Sequence, residues 1–227
     1  IVFDPEPQVP QTCDVLVIAG PHTNFTTQEN DAVQAYLKGG GDALILVENI
    51  IVTTPEIPLT AEQQNLNPSL NAILKSWGLR VGSDIVVDVS SHISGDPGTP
   101  ATRNYMKHSA LIKDLDYTFY VRPRSMSTLA DRRKDIKLAP FVLSASKKSW
   151  AETNRTLQVK FDSATDQAGP VVISYIVWGP RPSPEASDTR MIVFTDADFL
   201  SNAFIGQFSN GQMAMNIINW LLVPDFQ

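Results

Sequence analysis

Two carboxylates near the end of the chain are the residues best spaced for chemistry. Asp196 and Asp198 follow an apolar segment, and Asn202 comes four residues later. Carboxylate and amide oxygens are the ligands that Mg²⁺ and Ca²⁺ prefer, so this spacing is compatible with a cation site. A structural role is favoured over a cation site, because aspartate is common as a cap. In that role Asp198 caps the turn at residues 199–203 and Asp196 accepts backbone N–H bonds.

His22 and Asn49 are the other polar candidates, because each follows a segment that predicts a buried strand. In an open parallel sheet, ligands bind beyond the carboxyl ends of the strands, where both residues would lie. His22 could serve as a general base, although its sequence neighbours offer no orienting partner and favour a solvated position. We assign no catalytic residue, metal ligand or cofactor, and the predicted ligand-binding residues are His22, Asn49, Asp196, Asp198 and Asn202.

Motifs for nucleophilic or phosphate chemistry are missing from the sequence. Cys13, the only cysteine, precedes the first predicted strand and therefore lies at the wrong edge of the sheet. The chain has no Gly-x-Ser-x-Gly turn. Its triple glycine at 39–41 follows a helix rather than a strand, which does not match a phosphate-binding loop. These absences favour a binding domain over an enzyme.

The elements that must position these residues begin with a strand–helix–strand unit. Residues 14–20 and 43–47 are short apolar runs typical of buried parallel strands. Between them, Thr26 and Glu29 predict a capping box at the start of a helix, and the glycines at 39–41 predict its end. Short joints of this kind predict a right-handed parallel crossover.

Similar patterns continue along the chain. Asn67-Pro68 predicts the start of a second helix that ends at Gly78, residues 85–89 predict a third buried strand, and residues 191–194 predict the last one. The fold class expected from this order is α/β, with a doubly wound, mostly parallel sheet. Asn210 predicts the cap of a largely buried final helix.

The middle of the chain favours antiparallel strands within residues 115–178. Segments 117–121 and 157–161 alternate polar and apolar residues, and 171–178 is a further strand. We therefore expect one α/β domain over 1–227, with a core formed by 9–90 and 188–222 and an inserted β-rich part at 91–187.

Composition and charge exclude several classes of protein. The 227 residues are 43% hydrophobic with a net charge of −6, which argues against a general nucleic-acid binder. No apolar stretch is long enough to span a membrane. The chain begins at Ile1 and stops at Gln227, just after the apolar run 217–223, so we expect a domain excised from a larger protein.

One segment runs against the overall charge. Residues 122–148 hold eight basic residues and two acidic ones. Such a run is typical of a solvated face, and it is also compatible with contact to lipid headgroups or an acidic partner.

Short motifs in a fixed order give the chain a family resemblance. They are Val9-Pro10, DVLVIAGP (14–21), YLKGGG (36–41), NPSL (67–70), WGLRVG (77–82), DIVVD (84–88), SWAET (149–153), FTDADFLSN (194–202) and NIINWL (216–221). Together they resemble the extracytoplasmic domain of the gliding-motility-type auxiliary component of ABC transport systems.

This resemblance implies a sheet similar to that of class I glutamine amidotransferases, without the nucleophilic cysteine. It also implies a membrane-anchored parent protein that holds this domain on the extracytoplasmic (periplasmic) face of the cytoplasmic membrane. Its implied partners are the ABC permease and ATPase subunits or other proteins of the membrane complex, and a small-molecule or glycan ligand is also open. The family supplies no catalytic residues.

Three functions therefore remain open from the sequence. The first is a non-catalytic ligand- or partner-binding extracytoplasmic domain of an ABC-type transport or gliding-motility auxiliary protein. The second is a metal-dependent, hydrolase-like or carbohydrate-binding enzyme that uses Asp196, Asp198 and His22. The third is a structural lobe that only positions neighbouring domains.

Overall fold

The structure is a computed structural model that describes residues 7–49, 57, 60, 62–63, 67–156, 158–181 and 183–223. The prediction of a loop over 50–66 lies largely outside these residues. The helices longer than three residues are α1 (Thr27–Lys38), α2 (Asn71–Leu74) and α3 (Asn210–Leu222), and 3-10 turns cover Lys75–Trp77 and Asp198–Leu200. The strands are β1 (Val15–Ala19), β2 (Asp42–Leu46), β3 (Leu79–Val81), β4 (Ile85–Asp88), β5 (Ala101–Thr102), β6 (Asn104–Tyr105), β7 (Thr118–Phe119), β8 (Met126–Thr128), β9 (Lys137–Leu143), β10 (Ser149–Glu152), β11 (Gln167–Ala168), β12 (Val172–Gly179) and β13 (Thr189–Phe194).

The opening strand–helix–strand unit forms as the sequence predicts. The Thr26 hydroxyl accepts the Glu29 N–H, and the Glu29 carboxylate accepts the Thr26 N–H, which completes the capping box of α1. The helix ends at Gly39, and Gly40 follows with a φ of 98° that favours glycine. Strands β1 and β2 then pair in parallel, with Leu16 opposite Ala43.

The main sheet has six strands in the order β1-β2-β13-β12-β9-β6. Strand β2 pairs in parallel with both β1 and β13. The remaining neighbours pair antiparallel, so the sheet is mixed. Strands β9 and β12 come from residues 91–187, and they lie within the same sheet as β1, β2 and β13.

The predicted third parallel strand at 85–89 does not join this sheet. Strand β4 is buried, as the sequence indicates, but it pairs antiparallel with β10 in a separate three-stranded sheet. The other edge of β4 is also occupied by the middle of the chain, because the Val86 N–H donates to the Pro123 carbonyl and the Asp88 N–H donates to the Pro97 carbonyl. Before β4, α2 and the 3-10 turn after it form only a short helical segment at 71–77. The chain leaves this short helical segment into β3, which pairs with β8.

Two other predicted elements differ in their ends. The helix predicted from Asn67 begins only at Asn71, because Leu70 has a φ of 54° and the Asn67 side chain donates to Asn49 instead of capping. Gly78 ends the helical segment as predicted, with a φ of 81°. Asn210 is the first residue of α3 rather than its cap, and its side chain is buried.

Of the three strands predicted in the middle region, 171–178 forms as the antiparallel β12 (Val172–Gly179), whereas the other two differ from the prediction. Only Thr118–Phe119 of the 117–121 segment is a strand, and it pairs with β5. The described residues of 157–161 form no strand, because the Lys160 N–H bonds to the Glu152 carboxylate and to the Gln158 carbonyl rather than to a neighbouring strand.

Helices cover both faces of the sheet. Along β2, Ala43 and Ile45 pack in one core cluster with α1 and α2, while Leu44 and Leu46 pack in a second cluster with α3. This alternation follows from the two-residue period of a strand, and it explains why β2 is buried throughout. None of the helices in the described part of the chain is both long and apolar enough to cross a bilayer.

A buried ion pair ties α3 to the start of the sheet. The Arg190 guanidinium donates to the Asp42 carboxylate at 2.8 Å, and both side chains are about nine-tenths buried. The same guanidinium donates to the carbonyls of Trp220 and Leu221, which lie in the last turn of α3. One cation thus satisfies a carboxylate and two helix-terminal carbonyls.

Removing this guanidinium should therefore destabilise the folded state. We expect Arg190→Met to lower the free energy of unfolding by about 3–5 kcal/mol, because Asp42 is left as a buried charge without its cation. Urea denaturation at pH 7 measures the loss. The double substitution Asp42→Leu with Arg190→Met should recover part of it.

The matched control is Arg103→Met, which removes the exposed Arg103–Asp116 ion pair. An exposed pair contributes about 0–1 kcal/mol, so this variant should remain close to the wild type. Equal losses for the two variants would contradict a structural role of the buried pair.

Candidate functional site

The carboxyl edge of the sheet, where β1, β2 and β13 end, gathers the polar residues that the sequence singles out. The Val47 N–H donates to the Phe194 carbonyl at 2.8 Å, so the segments that leave β2 and β13 run side by side. Glu48 and Asn49 follow β2, while Asp196 and Asp198 follow β13. Parallel strands therefore bring together residues that are about 150 positions apart in the chain.

Asp196 is buried and fully engaged with the backbone. One carboxylate oxygen accepts the Asp198 N–H at 2.9 Å, and the other accepts the N–H groups of Val121 at 2.9 Å and Phe199 at 3.2 Å. The structural role predicted for Asp196 is thereby confirmed. Asp196, and not Asp198 as predicted, satisfies the N–H groups of the turn, since Asp198 is the first residue of that 3-10 turn.

Glu48, Asp196 and Asp198 form a cluster of three carboxylates. One oxygen from each lies within 4.8 Å of the others, which is a separation that a metal ion could bridge. Asp196 is buried, and the other two are half-buried. Glu48 belongs to this cluster although its side chain was not among the predicted ligands.

Burial and mutual repulsion set the acidity of this cluster. Burial raises the pKa of Asp196 well above its usual range, and the negative charges of Glu48 and Asp198 act in the same direction against its backbone hydrogen bonds. Burial also raises the pKa of Glu48, opposed by the Asn49 N–H, which donates to its carboxylate. Both groups therefore hold a proton to higher pH than an exposed carboxylate does.

Asn49 lies under this edge, with its amide fully used. Its nitrogen donates to the carbonyls of Asp84 and Arg122, and its oxygen accepts from the side chains of Asn67 and Arg155. The residue is 3% exposed. The structure thus places Asn49 at the predicted edge but in a structural network rather than at a surface open to ligands.

His22 and Asn202 are the exposed members of the predicted set. His22 lies near enough to Glu48 for its positive charge to oppose the rise in the pKa of that carboxyl. Its nitrogens do not belong to the three-carboxylate cluster. Asn202 follows the 3-10 turn, and within the described part of the chain no hydrogen bond joins it to the carboxylates.

Two buried arginines at this edge, Arg124 and Arg155, are not among the residues that the sequence singles out. Arg124 is 2% exposed and donates to the carbonyls of Gly82, Glu48 and Pro68. Burial, followed by the nearby charge of Arg155, lowers the pKa of Arg124 to about 10. Arg124 lies in the basic segment 122–148, where nothing in the sequence distinguishes a buried guanidinium from a solvated one.

Comparison with known proteins identifies a family and a fold. A family model described as "ABC-type uncharacterized transport system" matches residues 1–222. No curated protein matches the chain. A solved structure titled "mmIFT52 N-terminal domain" is 15% identical to this chain with a TM-score of 0.62, and the match covers 94% of this chain and 79% of that one. Likeness at this identity shows a shared fold alone.

Substitution of Asp196 tests its role as a capping group. We expect Asp196→Ala to lower the free energy of unfolding by about 3 kcal/mol, because three backbone N–H groups, one buried and two part-buried, lose their acceptor. Asp196→Asn should cost less, about 1–3 kcal/mol, since the amide keeps one accepting oxygen. Urea denaturation at pH 5 measures both changes, with Asp31→Asn on the exposed face of α1 as the control.

The free energy of unfolding of the wild type and of Asp196→Asn should also depend differently on pH. Because the folded pKa of Asp196 is raised, the folded state holds a proton that the unfolded state releases, and stability falls as pH rises from about 4 through the raised value. Asp196→Asn should therefore lose less stability between pH 5 and pH 8 than the wild type does. An identical slope in the two proteins would contradict the raised pKa.

Proposed function

Because this chain belongs to the family described as "ABC-type uncharacterized transport system", we propose that it is a non-catalytic domain that binds a partner or ligand at the carboxyl edge of its sheet. The family makes the protein an auxiliary component of an ABC-type transport system. The binding residues that we propose are the exposed or half-buried side chains of this edge, namely His22, Asp198 and Asn202.

One observation carries the proposal. The buried polar groups of the edge that resemble catalytic groups are occupied by hydrogen bonds within the fold. Asp196 accepts three backbone N–H groups, Asn49 uses its whole amide, and Arg124 donates to three carbonyls. A general base or a nucleophile needs a free lone pair directed at substrate, which favours a binding role for the surface above these groups.

The family resemblance supports the finer features of this proposal. We propose that the domain lies on the extracytoplasmic face of the cytoplasmic membrane, in a membrane-anchored parent protein of the gliding-motility type. Its partners in that setting are the permease and ATPase subunits, with a small-molecule or glycan ligand as the alternative occupant. The three parallel strands covered by helices on both faces are compatible with a relation to the class I glutamine amidotransferase sheet.

A binding experiment with the assembled transporter tests this function. The domain should bind the detergent-solubilised permease–ATPase complex of its own transport system. A variant with His22→Ala, Asp198→Ala and Asn202→Ala should bind at least about tenfold more weakly, because interfaces depend on a few central residues. Biolayer interferometry measures both affinities.

The matched control changes three exposed residues away from this edge, with Asp31→Ala, Lys113→Ala and Asn219→Ala. Both variants should keep the melting temperature of the wild type. Equal weakening in both, or full affinity in the edge variant, would contradict binding through the carboxyl edge.

The carboxylate cluster favours one second candidate, metal-dependent chemistry at the same edge. Its support is the approach of Glu48, Asp196 and Asp198 to within 4.8 Å. Against it, a cation would compete with the three N–H groups that Asp196 accepts and with the protons that burial holds on Asp196 and Glu48.

Thermal melting separates the two candidates. A ligand that binds only the folded state raises the melting temperature, by an amount that increases with its concentration. We expect no rise with Mg²⁺, Ca²⁺, Mn²⁺ or Zn²⁺ at millimolar concentration. A rise that disappears in Asp198→Asn would favour the metal-dependent function instead.

A further inference from the structure

A second charged surface lies away from the carboxyl edge. Six exposed cations come together from α2 and its 3-10 turn, from β3 and from the loop that leads into β9, and we call this surface the basic face: Lys75, Arg80, Arg132, Arg133, Lys134 and Lys137. Only two acids, Asp131 and Asp135, lie in the same segments. The basic face therefore carries +4 in a chain of net −6, which leaves −10 on the rest of the chain.

The basic face differs from the basic run that the sequence shows. Of the eight basic residues in 122–148, Arg124 is buried at the carboxyl edge and Arg122 pairs with Asp96. Lys75 and Arg80 lie outside that run in sequence. Lys147 and Lys148 also lie outside the basic face. The fold thus removes four cations from the linear cluster and adds Lys75 and Arg80 to the four that remain.

Two tryptophans support the cations of this face. The Arg133 guanidinium lies 5.9 Å from the centre of the Trp77 ring, and the Lys137 ammonium lies 4.5 Å from that of Trp178. The two rings flank the end of β12 from opposite sides, because successive residues of a strand point to opposite faces of the sheet. Gly179 faces Trp77, where an added Cβ would lie 2.6 Å from the ring, and Trp178 faces the other way. The basic face therefore wraps around this end of the main sheet. The Arg133 guanidinium also pairs with Asp135 at 2.7 Å, one of the two acids already counted on this face, while the Lys137 ammonium lies over its ring.

Gly78 fixes a further cation on this face. Its φ is 81°, and an added Cβ would lie 2.4 Å from Cδ of Arg132. The Gly78 carbonyl accepts the N–H of Leu129, which anchors the loop that carries Arg132 to Lys134. The missing side chain therefore lets the Arg132 stem lie directly against the backbone.

The part of the basic face around Trp77 and Trp178 lies at the opposite end of the main sheet from the carboxyl edge. Trp178 and Gly179 pair with Arg190 and Thr189 at the beginning of β13, whereas Asp196 follows its end. Variants of one surface can therefore be tested without disturbing the other.

We propose that the basic face is a docking surface for an anionic lipid bilayer. Charge complementarity supports a bilayer as the occupant. An anionic bilayer attracts the positive basic face and repels the rest of the domain, which is strongly negative. The six cations stand exposed on three separate segments rather than around a buried recess, which suits a laterally continuous layer of headgroups. The family's transport system supplies the membrane in this setting, whereas the candidate site takes no part in the contact.

Co-sedimentation with vesicles tests this docking. We expect the domain to bind vesicles of 30% phosphatidylglycerol in phosphatidylcholine at 50 mM salt, and to be released at 500 mM salt because screening shortens the range of the attraction. Each cation near an anionic surface strengthens binding about fivefold. The variant Lys75→Gln, Arg80→Gln and Lys134→Gln should therefore bind about 100-fold more weakly.

The control removes the same charge elsewhere, with Lys107→Gln, Lys113→Gln and Lys147→Gln, which are exposed and lie outside the basic face. It should lose much less affinity, and both variants should melt at the wild-type temperature. Equal loss in the two variants would overturn the proposal in favour of net charge alone. Lack of binding at 50 mM salt, or equal binding to pure phosphatidylcholine, would also overturn it and leave an acidic protein as the partner that this face fits. These outcomes are independent of binding to the permease–ATPase complex at the carboxyl edge.

Discussion

The guanidinium of Arg124 is the group around which the carboxyl edge is built. A buried cation has to meet acceptors, and Arg124 meets the carbonyls of three separate segments, which end at Glu48, Pro68 and Gly82. Its own backbone N–H and carbonyl both bond to the Thr195 hydroxyl, next to Asp196. The segments that carry Glu48 and Asp196 are therefore both held by contacts with Arg124.

Asp196 extends the same constraint to the other side of the edge. Its carboxylate holds the backbone at Val121 and the turn at Asp198–Phe199, so it joins the middle of the chain to its last strand. Charged groups used in this way fix loops that have few apolar contacts of their own. The turns beneath the exposed side chains of this edge are therefore held by hydrogen bonds to a buried carboxylate.

The sequence predicts local structure better than it predicts the partners of that structure. The capping box at Thr26, the helix end at Gly39 and the parallel pairing of β1 with β2 follow from residues close together in the chain, and all three form. The apolar run at 85–88 is equally clear as a buried strand, but its pairing with β10 depends on residues more than 60 positions away. Periodicity reports burial, and it does not report which neighbour provides it.

The same limit applies to the candidate site. Asp196 can be placed at the edge because it follows a strand, and its structural role follows from the known preference of aspartate for backbone N–H groups. Asn49 and Arg124 could not be identified as interior network residues, because their partners come from four other segments. The sequence around a charged residue does not show whether its side chain is buried or solvated.

Gly78 shows how this fold restricts its own evolution. The residue ends a helical turn with a left-handed backbone, and the same missing side chain makes room for the stem of Arg132. A substitution there would have to be compensated twice, once in the backbone and once in the neighbouring loop. The positive φ and the contact with Arg132 both exclude a Cβ atom at this position. A single substitution of Gly78 would therefore be tolerated poorly, whatever selection acts on the surface above it.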